Sequence, residues 1–368
     1  LIHRDIDPHH SIIDVVRKKD IMLHYPYQSF SHFIDFLREA AIDPRVTSIK
    51  ITLYRIANNS KVINALVNAA KNGKDVTAVI ELLARFDEQA NIHWSTILQE
   101  AGVKVIHGVP GLKVHCKLAI VTRIENKMEK FYSYIGTGNF NEDTASIYCD
   151  VGLLTADPEI GNEINKVFEF LRNNYKRFNY SHLVVAPYGM RKHFIKLISN
   201  EIKNKKEGSP AYIHLKLNNL VDETLIRHLY AAAKAGVEIK LIVRGICALQ
   251  TDLPELNGKI QAISIIDKYL EHSRFFIFAN GGDELFFLTS ADWMIRNLDH
   301  RIEIACPVYN NLIKKELRDI LNIQWRDNVK ARILDSELSN KYRPNNGEER
   351  VRAQTAIYKY LKLLGDSE

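Results

Sequence analysis

Cysteine is scarce in this chain. Cys116, Cys149, Cys247 and Cys306 are the only four in 368 residues, far apart and never as C-x-x-C. That spacing argues against a zinc site or a disulfide framework. Long apolar runs are missing as well: none approaches the ~20 residues that cross a bilayer, and Leu1-Ile2-His3-Arg4 does not open a signal peptide. A cytoplasmic location is therefore the default expectation. Charge of one sign is also lacking, since 50 Lys+Arg stand against 44 Asp+Glu for a net +6. That balance suits an anionic partner without requiring one. With no initiator methionine and a polar, His-rich opening, the chain reads as a fragment of something longer. What is present is ordinary globular composition, 46% hydrophobic and 26% charged, at a length that allows two domains each with its own core.

Periodicity and punctuation give alternating elements. A helix is expected over 29–41, ended by Asp43-Pro44, and a β-branched strand over 46–55. A helix over 60–72 closes at Gly73; strands at 76–82, 103–106, 112–121 and 131–135 follow, with a helix over 90–101. Residues 123–130 read as a charged turn. Alternation of this kind predicts an α/β layered fold.

From about residue 211 the order returns. Strand 212–217 leads to helix 222–235, and A-A-K-N-G-K-D-V-T-A-V-I aligns with A-A-K-A-G-V-E-I-K-L-I-V. Lys113-Val114-His115-Cys116-Lys117 has its counterpart in Glu271-His272-Ser273-Arg274, and Gly136-Thr137-Gly138-Asn139 in Thr289-Ser290-Ala291-Asp292. Asn139 and Asp150 are eleven positions apart, and so are Asp292 and Glu303. Both acids lie in apolar strands, where a carboxylate is costly unless paired. Asp150 and Glu303 are thus candidate His-orienting groups, with the choice of histidine for each left open. The break in pattern at 175–190 marks the domain boundary, and 312–366 reads mostly as helices around polar turns.

Two histidines from repeated halves suit phosphoryl transfer. One imidazole can take the phosphoryl group while the other serves the leaving oxygen. Lys117, Arg274 and Asn139 are candidates to bind phosphate oxygens. If 112–121 is one continuous strand, Lys113, His115 and Lys117 share a face, and the flanking ammonium groups favour a neutral, nucleophilic His115. Glu271 beside His272 would favour a ring that holds a proton. An isolated H-x-K is more often a solvated strand; the repeat is what raises it. His93, His107, His214 and His228 lack flanking cations and a counterpart, and are taken as structural. The run Lys203-Asn204-Lys205-Lys206 reads as a solvated loop, and Lys268, Arg274 and Arg296 are better placed to line a path for an anionic polymer.

The halves resemble the phospholipase D superfamily, which carries H-x-K, a G-S-x-N-like turn and a later acid; it expects Asp where Thr122 and Ala279 stand here. A closer resemblance covers essentially the whole chain. L-H-Y-P-Y-Q-S-F, L-Y-R-I-A, E-L-L-A-R-F-D-E, N-I-H-W, P-G-L-K-V-H-C-K-L, I-G-T-G-N-F-N, L-K-L-N-N-L-V-D, Y-L-E-H-S-R and S-A-D-W-M resemble the catalytic C-terminal half of the polyphosphate kinase family, first (histidine-phosphorylating) type. The resemblance implies two phospholipase D-like α/β domains, 1–182 and 183–368, related by pseudo-two-fold symmetry with the active site at their junction. Residues 1–20 would be a remnant of an upstream region, and the N-terminal and head domains would be absent. It implies reversible transfer of the ATP γ-phosphate to inorganic polyphosphate, Mg²⁺ with the ATP, no nucleic acid, a homo-oligomer in the full-length protein, and a cytoplasmic site compatible with peripheral attachment at the inner membrane. His115 matches the phosphohistidine nucleophile and His272 the second histidine. Tyr148, Arg244 and His272 match nucleotide-binding positions, and Arg55 and Arg85 match positions associated with magnesium. Arginine has no lone pair for a metal, so both are read as clamps on the phosphates that carry the ion. Two rival functions are a phospholipase D-type phosphodiesterase or nuclease and an inactive polyanion-binding module.

Overall fold

The computed structural model describes residues 1–7, 9–82 and 88–366. They form two compact units, Leu1–Leu183 with Leu364–Glu368, and Val184–Leu363. In the first unit the sheet runs in the order Ile21–Tyr25, Tyr148–Thr155, Met128–Gly136, Lys117–Glu125, Val46–Leu53, Asp75–Ile80, Lys104–His107. Asp75–Ile80 is parallel to both its neighbours, and the remaining pairings are antiparallel. The parallel pairs need crossovers, which the helices Lys61–Lys71 and Glu88–Glu100 supply. Ser60 caps the first of these by accepting from the Ile63 N–H at 3.2 Å.

The period of two along a strand divides the unit into layers. Ile49, Ile51 and Leu53 enter one core with Val76, Ala78 and Ile80 and with Phe33, Phe36 and Leu66 from the helices Ser31–Ile42 and Lys61–Lys71. Lys50 turns to the opposite face, where its Nζ donates to Asn165 at 2.7 Å and lies 3.5 Å from Glu169 on the helix Pro158–Arg172.

The second unit repeats the plan: Ala331–Ile333, Ile260–Ile265, Glu238–Val243, Tyr212–Leu217, Phe275–Phe278, Leu285–Thr289, Arg301–Pro307, with Val184–Ala186 antiparallel on the last. Phe194 of the helix Met190–Lys206 centres its core, with ring centroids 5.2 Å from Phe276, 5.6 Å from Trp293 and 6.0 Å from Phe287. On the other face Tyr212 and His214 meet the helix Asn311–Trp325, whose Arg318 donates to the Tyr212 hydroxyl at 3.0 Å.

The expected mixed α/β fold is what forms, with most element ends within two residues of expectation. Two differences matter. Residues 123–130 are not an open charged turn: the strands run on to Glu125 and resume at Met128. Asn126 and Lys127 close the hairpin at φ of 50° and 64°, a pair of positive values that suits the right-handed twist of the flanking strands. The strand expected over 112–121 is interrupted at His115. The strand Ile21–Tyr25 and the helix Met190–Lys206 were not foreseen. Among the described residues no helix is long and apolar enough to cross a membrane.

Candidate active-site residues

Strand pairing covers Lys113–Val114, stops, and resumes with Lys117–Glu125. Side chains hold the gap open. The Thr52 hydroxyl donates to the Cys116 carbonyl at 2.7 Å and accepts from the Leu118 N–H at 3.0 Å. The Glu81 carboxylate accepts from the Val114 N–H at 3.0 Å. Lys117, almost fully buried, donates from Nζ to the His115 carbonyl. The continuous face expected for Lys113, His115 and Lys117 is therefore replaced by a clasped break. The His115 ring meets Tyr54 edge-on at 5.0 Å between centroids, and the Lys117 ammonium lies 5.3 Å from the centre of the Tyr54 ring. Tyr54, with no counterpart motif to flag it, was missed in the sequence.

Asp150 is reached from the glycine turn. The Thr137 hydroxyl donates to its carboxylate at 2.6 Å and accepts from the Val151 N–H at 3.0 Å. A Cβ on Gly138 would stand 2.3 Å from the Asp150 Oδ2, so only glycine lets the turn close over the acid. The second unit builds the same clip with changed letters. Ser290 donates to Glu303 at 2.5 Å and accepts from the Ile304 N–H at 3.1 Å, while Asn297 donates to the other Glu303 oxygen at 2.7 Å. In both clips hydroxyl and acid are 13 positions apart.

His272 repeats the clasp as well. Arg274 Nη1 donates to the His272 carbonyl at 3.0 Å, as Lys117 does to that of His115. Lys216 takes the place of Thr52 and donates to the Ser273 carbonyl at 3.2 Å and hydroxyl at 2.7 Å. Arg274 also makes a buried ion pair, its Nε donating to Asp292 at 3.0 Å. Burial works to raise the Asp292 carboxyl, but the Arg274 charge and the bonds from Arg274, Asn219 and the Asn218 N–H outweigh it and hold it at about 2. Glu271, beside His272 in sequence, turns to Lys216 at 3.0 Å and to the amides of Gln324 and Gln354 at 2.8 and 2.9 Å. Its charge is compensated there.

The other expected residues fall as follows. Arg55 is half-buried just beyond Val46–Leu53, next to Tyr54; Tyr148 is half-buried at the start of Tyr148–Thr155, on the strand face of Asp150. Arg85 lies outside the described residues. Arg244 follows Glu238–Val243 and donates from Nε to Asn218 Oδ1 at 3.2 Å. Asn139 is half-buried, and its side-chain oxygen is a buried acceptor with no donor among the described residues. Lys268 and Arg296 are exposed. Of the histidines read as structural, His107 bonds Ser95 at 2.7 Å and His228 the Thr224 carbonyl at 2.8 Å. Burial, then Arg318 and Lys240, push His214 down to about 3. Among the described residues no group of three or more His, Cys, Asp and Glu could hold a metal.

The family description "Polyphosphate kinase C-terminal domain 1" matches residues 11–177, and "Polyphosphate kinase C-terminal domain 2" matches 183–354. The chain belongs to the polyphosphate kinase family. Polyphosphate kinase of Escherichia coli K12 is 50% identical over 355 residues, 96% of this chain and 52% of that protein. The Yersinia pestis polyphosphate kinase is 48% identical over the whole chain and 54% of its own length. This chain thus spans about half the length of the curated relatives it matches. The crystal structure of polyphosphate kinase from Porphyromonas gingivalis superposes with a TM-score of 0.94 at 43% identity, over all of this chain and 56% of that one. A phosphatidylserine synthase from Haemophilus influenzae shares the fold at a TM-score of 0.58 and 10% identity, over 95% of this chain and 94% of that one.

Proposed function

We propose that this chain carries the phosphoryl-transfer chemistry of a polyphosphate kinase, moving the γ-phosphoryl group of ATP reversibly to inorganic polyphosphate through His115. Identity near one half with polyphosphate kinases, sustained across nearly the whole chain, is the observation that carries the reading. In the first step a ring nitrogen of His115 bonds to the γ-phosphorus as the bond to the ADP oxygen breaks. In the second a terminal oxygen of polyphosphate bonds to that phosphorus as the N–P bond breaks. Both displacements build negative charge that nearby cations stabilise. Lys117 brings one such charge beside His115 and fixes the backbone from which the ring projects. Arg55 is assigned to the phosphates, Tyr148 and Arg244 to the nucleotide, and His272 to the nucleotide and its leaving oxygen.

Magnesium belongs with the ATP in this reading. The arginines offer it no lone pair; carried on the phosphates of ATP, it would offset their charge beside Arg55.

Incubation with ATP radiolabelled at the γ-position tests the proposal. Acid-labile label should appear on the protein and vanish in His115→Ala; label that survives that substitution removes His115 as nucleophile. Release of inorganic phosphate without polyphosphate growth would favour the hydrolase.

A further inference from the structure

We infer that Asn218 is a positioning residue that locks Arg244 and His272 into one arrangement for the nucleotide. The inference rests on the nucleotide roles proposed above for those two residues. Strands Tyr212–Leu217 and Glu238–Val243 are parallel, with Leu217 opposite Val243. Asn218 and Arg244 are the next residues along, so both leave the sheet side by side at its carboxyl edge, where open α/β sheets place their ligands.

Asn218 is 1% exposed and uses every polar group it has. Its Oδ1 accepts from Arg244 Nε at 3.2 Å, and its Nδ2 donates to the His272 carbonyl at 3.2 Å. Its main-chain N–H donates to Asp292 at 2.8 Å, and its carbonyl accepts from the Gly245 N–H at 2.7 Å. Asp292 in turn holds Arg274, which clamps the same His272 carbonyl. One amide therefore joins the Arg244 side chain to the His272 main chain, 28 positions apart in the chain, 272 against 244.

The chemistry suits an amide. The position needs one acceptor and one donor in a single short side chain; Asp lacks the donor, and an apolar residue lacks both. Holding a guanidinium by Nε sets the plane of its fork, and the direction in which a planar fork points decides whether it can meet two phosphate oxygens at once. The close packing has a second mark. A Cβ on Gly245 would lie 2.9 Å from the Asn218 carbonyl and 2.7 Å from Asn219 Oδ1, so the residue after Arg244 must be bare for the strands' ends to approach.

A binding cycle tests this. ATP affinity is measured by calorimetry on the whole 368-residue chain for the wild type, Asn218→Ala, Arg244→Ala and the double variant. Asn218→Ala should weaken binding roughly tenfold, and by clearly less once Arg244 is already gone, the remainder being its hold on the His272 carbonyl, because coupled residues do not add. Asn219→Ala serves as the packing control: its side chain bonds Asp292 and Ile246 instead, so its effect should be the same in both backgrounds. Should Asn218→Ala fail to fold, Asn218→Leu, which keeps the bulk but neither the acceptor nor the donor, enters the same cycle. Equal losses from Asn218→Ala in both backgrounds overturn the positioning role while leaving Arg244 at the nucleotide. Arg244→Ala that binds as the wild type does, or a wild type that binds no ATP, overturns the nucleotide reading and this inference with it.

Discussion

Arg274 and Asp292 are buried together, and each compensates the other's charge. Removing one member strands the other, so Asp292→Asn or Arg274→Met should cost roughly 3–5 kcal/mol, visible as a large fall in the unfolding midpoint. The Asp292 carboxyl is held near 2 in the fold against an ordinary 3.8. Its contribution to stability is therefore full above about 3.8 and drains away as pH falls toward 2. Glu201 behaves oppositely. It is wholly buried on the helix Met190–Lys206, and burial pushes its carboxyl up to about 7 despite the Asn280 N–H that donates to it at 2.7 Å. The folded state then binds the extra proton between about 4.5 and 7, so stability should decline as pH rises through that window. Glu201→Gln should flatten that slope in denaturant titrations; an unchanged slope would show that another group sets it.

Among the elements, the clasped break at His115 and the hydroxyl–acid clips carry the most information. Gly138→Ala drives a methyl into Asp150 and should cost about 1–3 kcal/mol through strain, with loss of the phosphohistidine label. Label retained at the wild-type level would show that Asp150 can shift harmlessly. The elements themselves were largely legible, because periods of 2 and 3.6, with Gly73 and Gly236 after their helices, are local signals. The break was not. Residues 112–121 are good strand formers, and what interrupts them is Thr52, some sixty positions away, bonding the Cys116 carbonyl. The basic residue of H-x-K and H-x-R was legible as important. Sequence shows a cation two places on, and only coordinates show that it also holds the histidine's own carbonyl.

Over the whole molecule, duplication was the readable feature, and it pointed to both histidines before any contact was known. Asn218 was invisible at that stage because its partners, Arg244 and the His272 carbonyl, come from separate stretches. With a net charge of only +6, binding of polyphosphate should depend on local cations more than on an overall field. Affinity for polyphosphate should drop between roughly 50 and 200 mM salt, and Arg55→Ala should make the drop shallower. A slope unaltered by that substitution removes Arg55 from the phosphate path.

The two clips have a consequence for reading kinship. Thr137 with Asp150 and Ser290 with Glu303 pin a turn to a strand whether or not any histidine depends on them. A descendant that had lost His115 and His272 would still be pressed to keep the acids, simply to remain folded. Survival of Asp150 or Glu303 in a distant chain is therefore testimony about ancestry and architecture, and is silent on whether that chain still turns over substrate.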